Sequence, residues 1–314
     1  MSASKNRLRW KELPAQVRER IGRLAGGPIV AAANCEGGFS PGLAARVRLA
    51  DGRRAFVKAM DCAAWPLQAQ LHRDEARVAA VLPAGLPVPE LRGYDDGDWV
   101  ILVFECVDGA EPARPWRGAD LARVVEAAGL LAAGAPDLPP LPGGNCRLGG
   151  WAALAGDGAQ VARLAQCAPW ARQRLAMLAA LEGDGLTAAR GSALVHFDMF
   201  AHNILLTADQ VLFVDWPHAR LGAPFIDVVL LLASAVADGV DPEPFMAASP
   251  LTAGIDPGAI DGLLAAHAAF CLSGALQPPE PGLEPIHAAK LELGLAALGW
   301  LGRRFDGRRT RLAD

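Results

Sequence analysis

The pattern of the chain changes near residue 110, and few folds accommodate such a change. Residues 1–105 read as short strands joined by tight turns, with one clear helix. Asp51-Gly52 is a strong hairpin signal between runs 43–49 and 55–60, because glycine accepts the positive φ that a two-residue hairpin demands. A second hairpin is predicted from 91–94, through the acidic turn Asp95-Asp96-Gly97-Asp98, to 99–105. Between them, residues 67–82 carry apolar side chains at 67, 71, 78, 79 and 82, a helical spacing that prolines 83, 87 and 89 terminate. Residues 13–24 read as a short amphipathic helix with Pro14 in its first turn. Beyond residue 119 the spacing is mostly helical, except for residues 194–216, with β-like runs at 204–206 and 211–214. The expected fold is α+β and bilobal: a β-rich N-lobe over 1–105, a linker over 106–118, and a mainly helical C-lobe over 119–314.

Composition narrows the class. At 314 residues the chain has room for about two domains, and 52% hydrophobic against 20% charged residues excludes a disordered polyampholyte. A net charge of −4 gives no basic footprint for nucleic acid. The first 20 residues lack an apolar core, so no secretory signal is expected. The longest strongly apolar run, 228–237, falls short of the roughly 20 residues that span a bilayer, so no membrane partner is expected. Six cysteines without a CxxC pair argue against a zinc ribbon or dithiol site and fit reduced thiols in a cytoplasmic protein. Residues 1–119 hold 17 basic and 14 acidic residues, whereas 120–314 hold 13 and 20, so a partner of the second lobe is expected to be cationic or neutral.

The basic residues are unevenly chosen, with four lysines and 26 arginines. A lysine inside an apolar stretch therefore stands out. Lys58, in the strand AFVKAM, is such a residue, and Glu75 follows 17 positions later on the predicted helix. A strand lysine that reaches nucleotide phosphates and is fixed by a helix glutamate is the kinase arrangement. Asp74 is a rival partner; Glu75 is preferred as a continuation of the face of Leu71, Val78 and Leu82. Upstream, residues 36–42 form a glycine-rich turn in which Gly37, Gly38, Phe39 and Ser40 offer backbone N–H groups to phosphates. In a two-lobed kinase, strand 99–105 would lead into the hinge, making Glu105 and Val107 candidates to bind a purine edge with Val103 gating the back; an edge strand entering a linker is the alternative.

The densest polar cluster is VHFDMFAHNILLTADQVLFVDW, residues 195–216, with His196, Asp198, Asn203 and Asp215. Asp198 and Asn203 stand five apart, as in the kinase catalytic loop, and Asp215 follows a β-like run. Phosphoryl transfer needs hard oxygen ligands for Mg²⁺, which Asn203 and Asp215 supply, and a carboxylate for the attacking hydroxyl, which Asp198 supplies. Two alternatives stand beside this. One is a metal-hydrolase site of His196, Asp198, His202, Asp215 and His218, although no HExxH is present. The other is a plain polar turn between apolar strands.

Taken in order, the glycine-rich turn, strand lysine, helix glutamate, HxDxxxxN and late Asp resemble a kinase. The string VHFDMFAHNILL…VLFVDWPHARLGAPFIDVVLLL resembles the aminoglycoside phosphotransferase family rather than protein kinases, since no A-P-E follows. That family also contains choline, homoserine and sugar kinase-like enzymes. The resemblance implies a protein-kinase-like fold, ATP or GTP with Mg²⁺ as cofactors, and a small hydroxylated molecule as partner. It assigns Asp198 as base, Asn203 and Asp215 as Mg²⁺ ligands, Lys58 with Glu75 as phosphate clamp, Asp227 as a brace of the catalytic loop, and His196 as its orienting residue. Phe197 departs from the family, which commonly has Gly there, so its side chain must find apolar space or the loop backbone must differ. His202 precedes Asn203 where Gly is frequent and is a substrate candidate. His267, Glu284, His287, Glu292 and Trp300 are further acceptor candidates on the last helices. The favoured acceptor is an antibiotic, in resistance or self-protection. A metabolite is the alternative acceptor, and a non-catalytic nucleotide-binding protein the further one. Monomer and homodimer fit the sequence equally.

Overall fold

The computed structural model describes residues 7–35, 40–132, 137–141, 147–279 and 284–311. The chain divides into two compact units: Met1–Glu111 with His202–Ala219, and Pro112–Ala201 with Arg220–Asp314.

The first unit is built on an antiparallel sheet of order β1-β2-β3-β5-β4, made of β1 (Ile29–Asn34), β2 (Leu43–Leu49), β3 (Arg54–Asp61), β4 (Leu91–Asp96) and β5 (Trp99–Glu105). Its two faces are covered separately. Helix α1 (Ala15–Ala25) ends at Gly26, whose φ of 84° gives the left-handed cap, and packs Val17 and Ile21 with Trp99, Ile101 and Val103. Helix α2 (Pro66–Val81) covers the other face, where Ala69 and Ala76 meet Val100, Leu102 and Phe104. Alternate residues of β5 thus feed two cores, which is why this strand is apolar from Trp99 to Phe104. The inward stripe of α2 is Ala69, His72, Glu75, Ala76 and Val78. Of the face from which Glu75 was inferred, Val78 is buried beside it, whereas Leu71 faces outward, as does Leu67 at 78% exposed.

Strands β7 (Ile204–Leu206) and β8 (Val211–Phe213) pair as a hairpin within this unit. The sequence reading places this segment in the helical lobe. Backbone hydrogen bonds hold it in the strand-rich unit: Leu206 and Ala110 exchange N–H···O bonds of 2.8 and 3.0 Å, and Phe213 N–H donates to Pro87 O at 2.8 Å.

The second unit is helical. It contains α3 (Gly118–Ala132), α4 (Trp151–Gly156), α5 (Gly158–Cys167), α6 (Pro169–Arg172), α7 (Leu175–Ala188), α8 (Ile226–Val236), α9 (Glu243–Ala248), α10 (Pro257–Ala275) and α11 (Glu284–Arg311). Two short strands, β6 (Ala193–Val195) and β9 (Arg220–Gly222), pair antiparallel. Helices α8 and α10 are buried along most of their length, as expected for helices apolar on every side. Among the described residues only α10 is long and apolar enough to cross a membrane; 67% of its apolar window is buried in the unit. It crosses α7 at Gly185 and Gly262, where an added Cβ on Gly185 would lie 2.1 Å from the opposing backbone. Only glycine permits that approach.

Candidate active site

The chemistry-bearing residues form two clusters, one within each unit. In the strand-rich unit, Lys58 pairs in register with Leu102 and so lies on the α2 face of the sheet. Its ammonium donates to Glu75 Oε1 at 2.7 Å, to Glu75 Oε2 at 2.8 Å and to Asp215 Oδ1 at 2.9 Å. Asp74, the rival, points outward and receives Gln70 and Arg77. Burial opposes the charge on Lys58, but Asp215 and Glu75 together outweigh it and hold the ammonium above the ordinary lysine value. Burial pushes Glu75 up, to about 7, against the pull of Lys58. Its neighbour His72 is held down, to about 4, by burial and then by Lys58, and its Nδ1 lies 3.0 Å from Gln68 O.

The β7–β8 hairpin brings Asn203 to the same end as Asp215. Ile204 pairs with Phe213, and Val214 N–H donates to Asn203 O at 2.9 Å. Asn203 is buried, whereas the Asp215 side chain is 44% exposed. Asp215 has φ 70°, a left-handed conformation that costs a side-chain-bearing residue about 1–2 kcal/mol. With all three groups ionised, Lys58, Glu75 and Asp215 sum to one negative charge, which a cation would offset. Among the described residues no group of three His, Cys, Asp or Glu is placed to hold a metal ion. A hard divalent cation here would use the Asp215 carboxylate, the Asn203 amide oxygen and oxygens of its own ligand, a donor set that suits Mg²⁺.

In the helical unit, Asp227 at the start of α8 is buried and takes two backbone N–H groups: His196 at 2.7 Å and Phe197 at 2.9 Å. Burial raises its pKa, opposed by His196 and by those two amides. The buried His196 accepts the Asp198 N–H on Nδ1 at 3.3 Å, which orients the loop. Phe197 has φ 68°, where glycine would be unstrained, and its side chain is buried. The departure at 197 is thus absorbed by an apolar site plus a strained backbone. Among the described residues, Phe197 and Asp215 are the two non-glycine residues with positive φ, and each flanks or is a candidate functional group. The Asp198 carboxylate pairs with Arg147.

The remaining candidates are placed as follows. Gly37, Gly38 and Phe39 lie outside the described residues. Ser40 Oγ accepts the Gly42 N–H at 3.4 Å. Arg7 ties both sides of this turn, donating to Cys35 O and Gly42 O at 3.2 Å each. Glu105 closes β5 with its N–H on Glu90 O at 2.8 Å, and Val107 is half-buried beyond it. His202 is half-buried in the turn Ala201–Asn203. His267 is buried on α10, Glu284 is exposed and His287 half-buried on α11, and Glu292 lies 3.7 Å from Arg114. Trp300 corrects the sequence reading: it is 1% exposed and donates its indole N–H to Glu243 at 2.8 Å, so it belongs to the core rather than to a binding wall. Sequence reasoning missed Arg7 and Arg147, both outside regular elements and without periodicity to mark them. The shortage of cations in 120–302, eight in all, is the signal that singles out Arg147.

The model of the phosphotransferase enzyme family matches residues 36–258. Among solved structures, a thermostable mutant of aminoglycoside phosphotransferase APH(4)-Ia is similar, with 14% identity, TM-score 0.58, and coverage of 91% of this chain and 98% of that one. An aminoglycoside phosphotransferase from Alicyclobacillus acidocaldarius is 15% identical, with TM-score 0.57 and coverage of 93% and 95%. A choline/ethanolamine kinase family protein from Mesorhizobium loti is 18% identical, with TM-score 0.52 and coverage of 90% and 98%. No curated protein matches the chain.

Proposed function

The chain belongs to the phosphotransferase enzyme family and is a phosphotransferase with an alcohol group as acceptor; on that premise we propose that it transfers the γ-phosphoryl group of ATP or GTP, with Mg²⁺, to a hydroxyl of a small molecule. The observation that carries the reading is the Lys58–Glu75–Asp215 cluster. All three ammonium donors are engaged, two by Glu75 and one by Asp215. Phosphate oxygens would take over the Lys58 donor that Asp215 now holds, and Asp215 with Asn203 would hold the Mg²⁺. Bound Mg²⁺ supplies charge neutralisation across the phosphates. Asp198 accepts the proton of the acceptor hydroxyl as its oxygen bonds to the γ-phosphorus and the β,γ-bridging P–O bond breaks. Asp227 and His196 hold the backbone of that loop. Gly37, Gly38, Phe39 and Ser40 would cover the phosphates, and Glu105 and Val107 would meet the base. The catalytic lobes are proposed to be 1–105 and 119–314, joined by 106–118, with residues 202–219 grouped with the first.

A hydroxylated antibiotic is the acceptor class to test first, since solved structures of the same fold include APH(9)-Ia with ADP and spectinomycin. A metabolite is the second reading, because a structural neighbour is a putative fructosamine-3-kinase from Thermobifida fusca. The test separates the two clusters. Asp198→Ala should abolish ADP release across an acceptor panel while nucleotide protection in thermal shift persists. Asp215→Ala should lose the Mg-nucleotide protection itself. Wild-type turnover by Asp198→Ala would remove the assigned base, and nucleotide protection without transfer to any acceptor would favour a non-catalytic binder.

A further inference from the structure

The surroundings of Asp198 in the helical unit are cationic, although the unit as a whole is acidic. Arg147 pairs with the Asp198 carboxylate, and its guanidinium carbon lies 5.4 Å from the centre of the Phe270 ring. Lys290, from α11, reaches the same ring, its Nζ 5.2 Å from the centre. His267, Phe270, Cys271 and Gly274 follow at three- and four-residue spacing, so they share one face of α10. Gly274 makes room for the lysine, because a Cβ there would lie 3.1 Å from Lys290 Nζ. Burial, and then Arg147, hold His267 at about 4, so it adds no charge at neutral pH. Burial pushes the Cys271 thiol up to about 12, so it adds no anion.

The nearby carboxylates are drawn elsewhere. Glu182 accepts the N–H groups of Gly150 and Trp151 at 2.9 and 3.0 Å, and Asp261 receives Arg304 at 2.7 Å. Glu292 lies 3.7 Å from Arg114. Among the described residues Lys290 has no carboxylate within 4 Å, and Arg147 has Asp198 alone. Arg147 pairs with Asp198 and shares the Phe270 ring with Lys290, all three on partly exposed side chains. A surplus cation on an aromatic face is a receiving site for an anion or a rim that repels cations.

We infer that the acceptor carries an anionic group, a carboxylate or a phosphate, received by Lys290 and Arg147 while its hydroxyl meets Asp198. The inference rests on the phosphotransferase reading and narrows it: a polycationic acceptor would meet charge of its own sign. Lys290 is then a specificity-determining residue.

The test uses acceptors matched in skeleton and differing in charge: glycerol, glycerate and glycerol phosphate, with glucose, glucosamine, glucuronate and glucose phosphate. ADP release and melting temperature are recorded with Mg-nucleotide. The carboxylate or the phosphate members should exceed neutral and cationic ones by about tenfold or more in kcat/KM, the scale of one charge-assisted hydrogen bond. Which of the two wins identifies the anion. Lys290→Met should raise KM for them about tenfold with kcat kept, and Lys290→Glu should shift preference to glucosamine. Equal or better use of neutral or cationic acceptors overturns the inference. An equal fall in kcat for every acceptor in Lys290→Met also overturns it, since the cations would then serve the transferred phosphoryl group. Where no member turns over, protection decides. Anionic members should stabilise wild type and not Lys290→Met; protection by none, or alike across charge classes, overturns the inference. Loss of nucleotide protection in wild type is a different result and would strike the underlying phosphotransferase reading.

Discussion

The strand-rich unit sets one ammonium against two carboxylates, and the helical unit pairs one carboxylate with an arginine that shares an aromatic ring with a second cation, Lys290. The two clusters are of opposite sign, and each is short of the ion that its proposed ligand would bring. On the proposed reading, Lys58 with Glu75 and Asp215 would receive a metal cation, and Arg147 and Lys290 beside Asp198 would receive an anionic acceptor. Net charge could not show this: the cluster around Lys58 draws Glu75 from the more basic residues 1–119 and Asp215 from the acidic residues 120–314, which also hold Asp198, Arg147 and Lys290.

Removing the central ion of the first cluster should have the largest effect. Lys58→Met leaves the buried Glu75 carboxylate without its partner, which costs about 3–5 kcal/mol and should lower the urea midpoint together with Mg-nucleotide protection. Lys58→Met with Glu75→Gln should recover part of the midpoint and none of the protection. Recovery of both would show that the pair serves folding alone. Lys58→Arg keeps the charge but replaces a compact ammonium with a planar fork, so transfer should still fall.

A smaller effect, the difference between two replacements of one residue, is expected where the helical unit stores backbone strain. Truncating buried Phe197 to Ala should cost about 3–5 kcal/mol, and Phe197→Gly about 1–2 kcal/mol less, because glycine is unstrained at φ 68°. That order reverses the usual one, in which Gly is the worse residue. Denaturant midpoints that place Ala above Gly would show that the loop backbone relaxes.

The smallest effect is a pH slope shared by both units. His72 and His267 are each held to about 4 in the folded chain, below the 6.5 of a free histidine. Their folded pKa is depressed, so each contributes stability that is complete above pH 6.5 and lost as pH falls through about 4. Melting temperature should therefore drop on acidification across that window, and His267→Gln and His72→Gln should each flatten the fall. An unchanged slope in His267→Gln would place the acid sensitivity in the strand-rich unit alone.

Much of this was legible in residue order. The Asp51-Gly52 turn marked the β2–β3 hairpin, and the rarity of lysine marked Lys58. The β-like run before Asp215 placed it at a hairpin end beside Asn203. The face of Leu71, Val78 and Leu82 pointed to Glu75, and it is used only in part: Val78 is buried with Glu75 while Leu71 faces solvent, and the rest of the inward stripe is Ala69, His72 and Ala76. The contacts of Arg147, Phe270 and Lys290 join a loop and two helices more than a hundred residues apart in part, and no local period encodes that meeting. The argument from scarce lysine applied to Lys290 as well as to Lys58, and would have marked it.

The two amide bonds from residues 196 and 197 to Asp227 have a consequence for how the enzyme fails. They tie the loop that carries Asp198 to the first turn of α8, a helix buried along nearly its whole length. Amides held by a buried carboxylate exchange with solvent at the rate of the core, not of a surface loop. Order in the loop and integrity of the helical core are therefore one cooperative event. On heating, activity and structure should be lost together, with no folded but disarmed form in between.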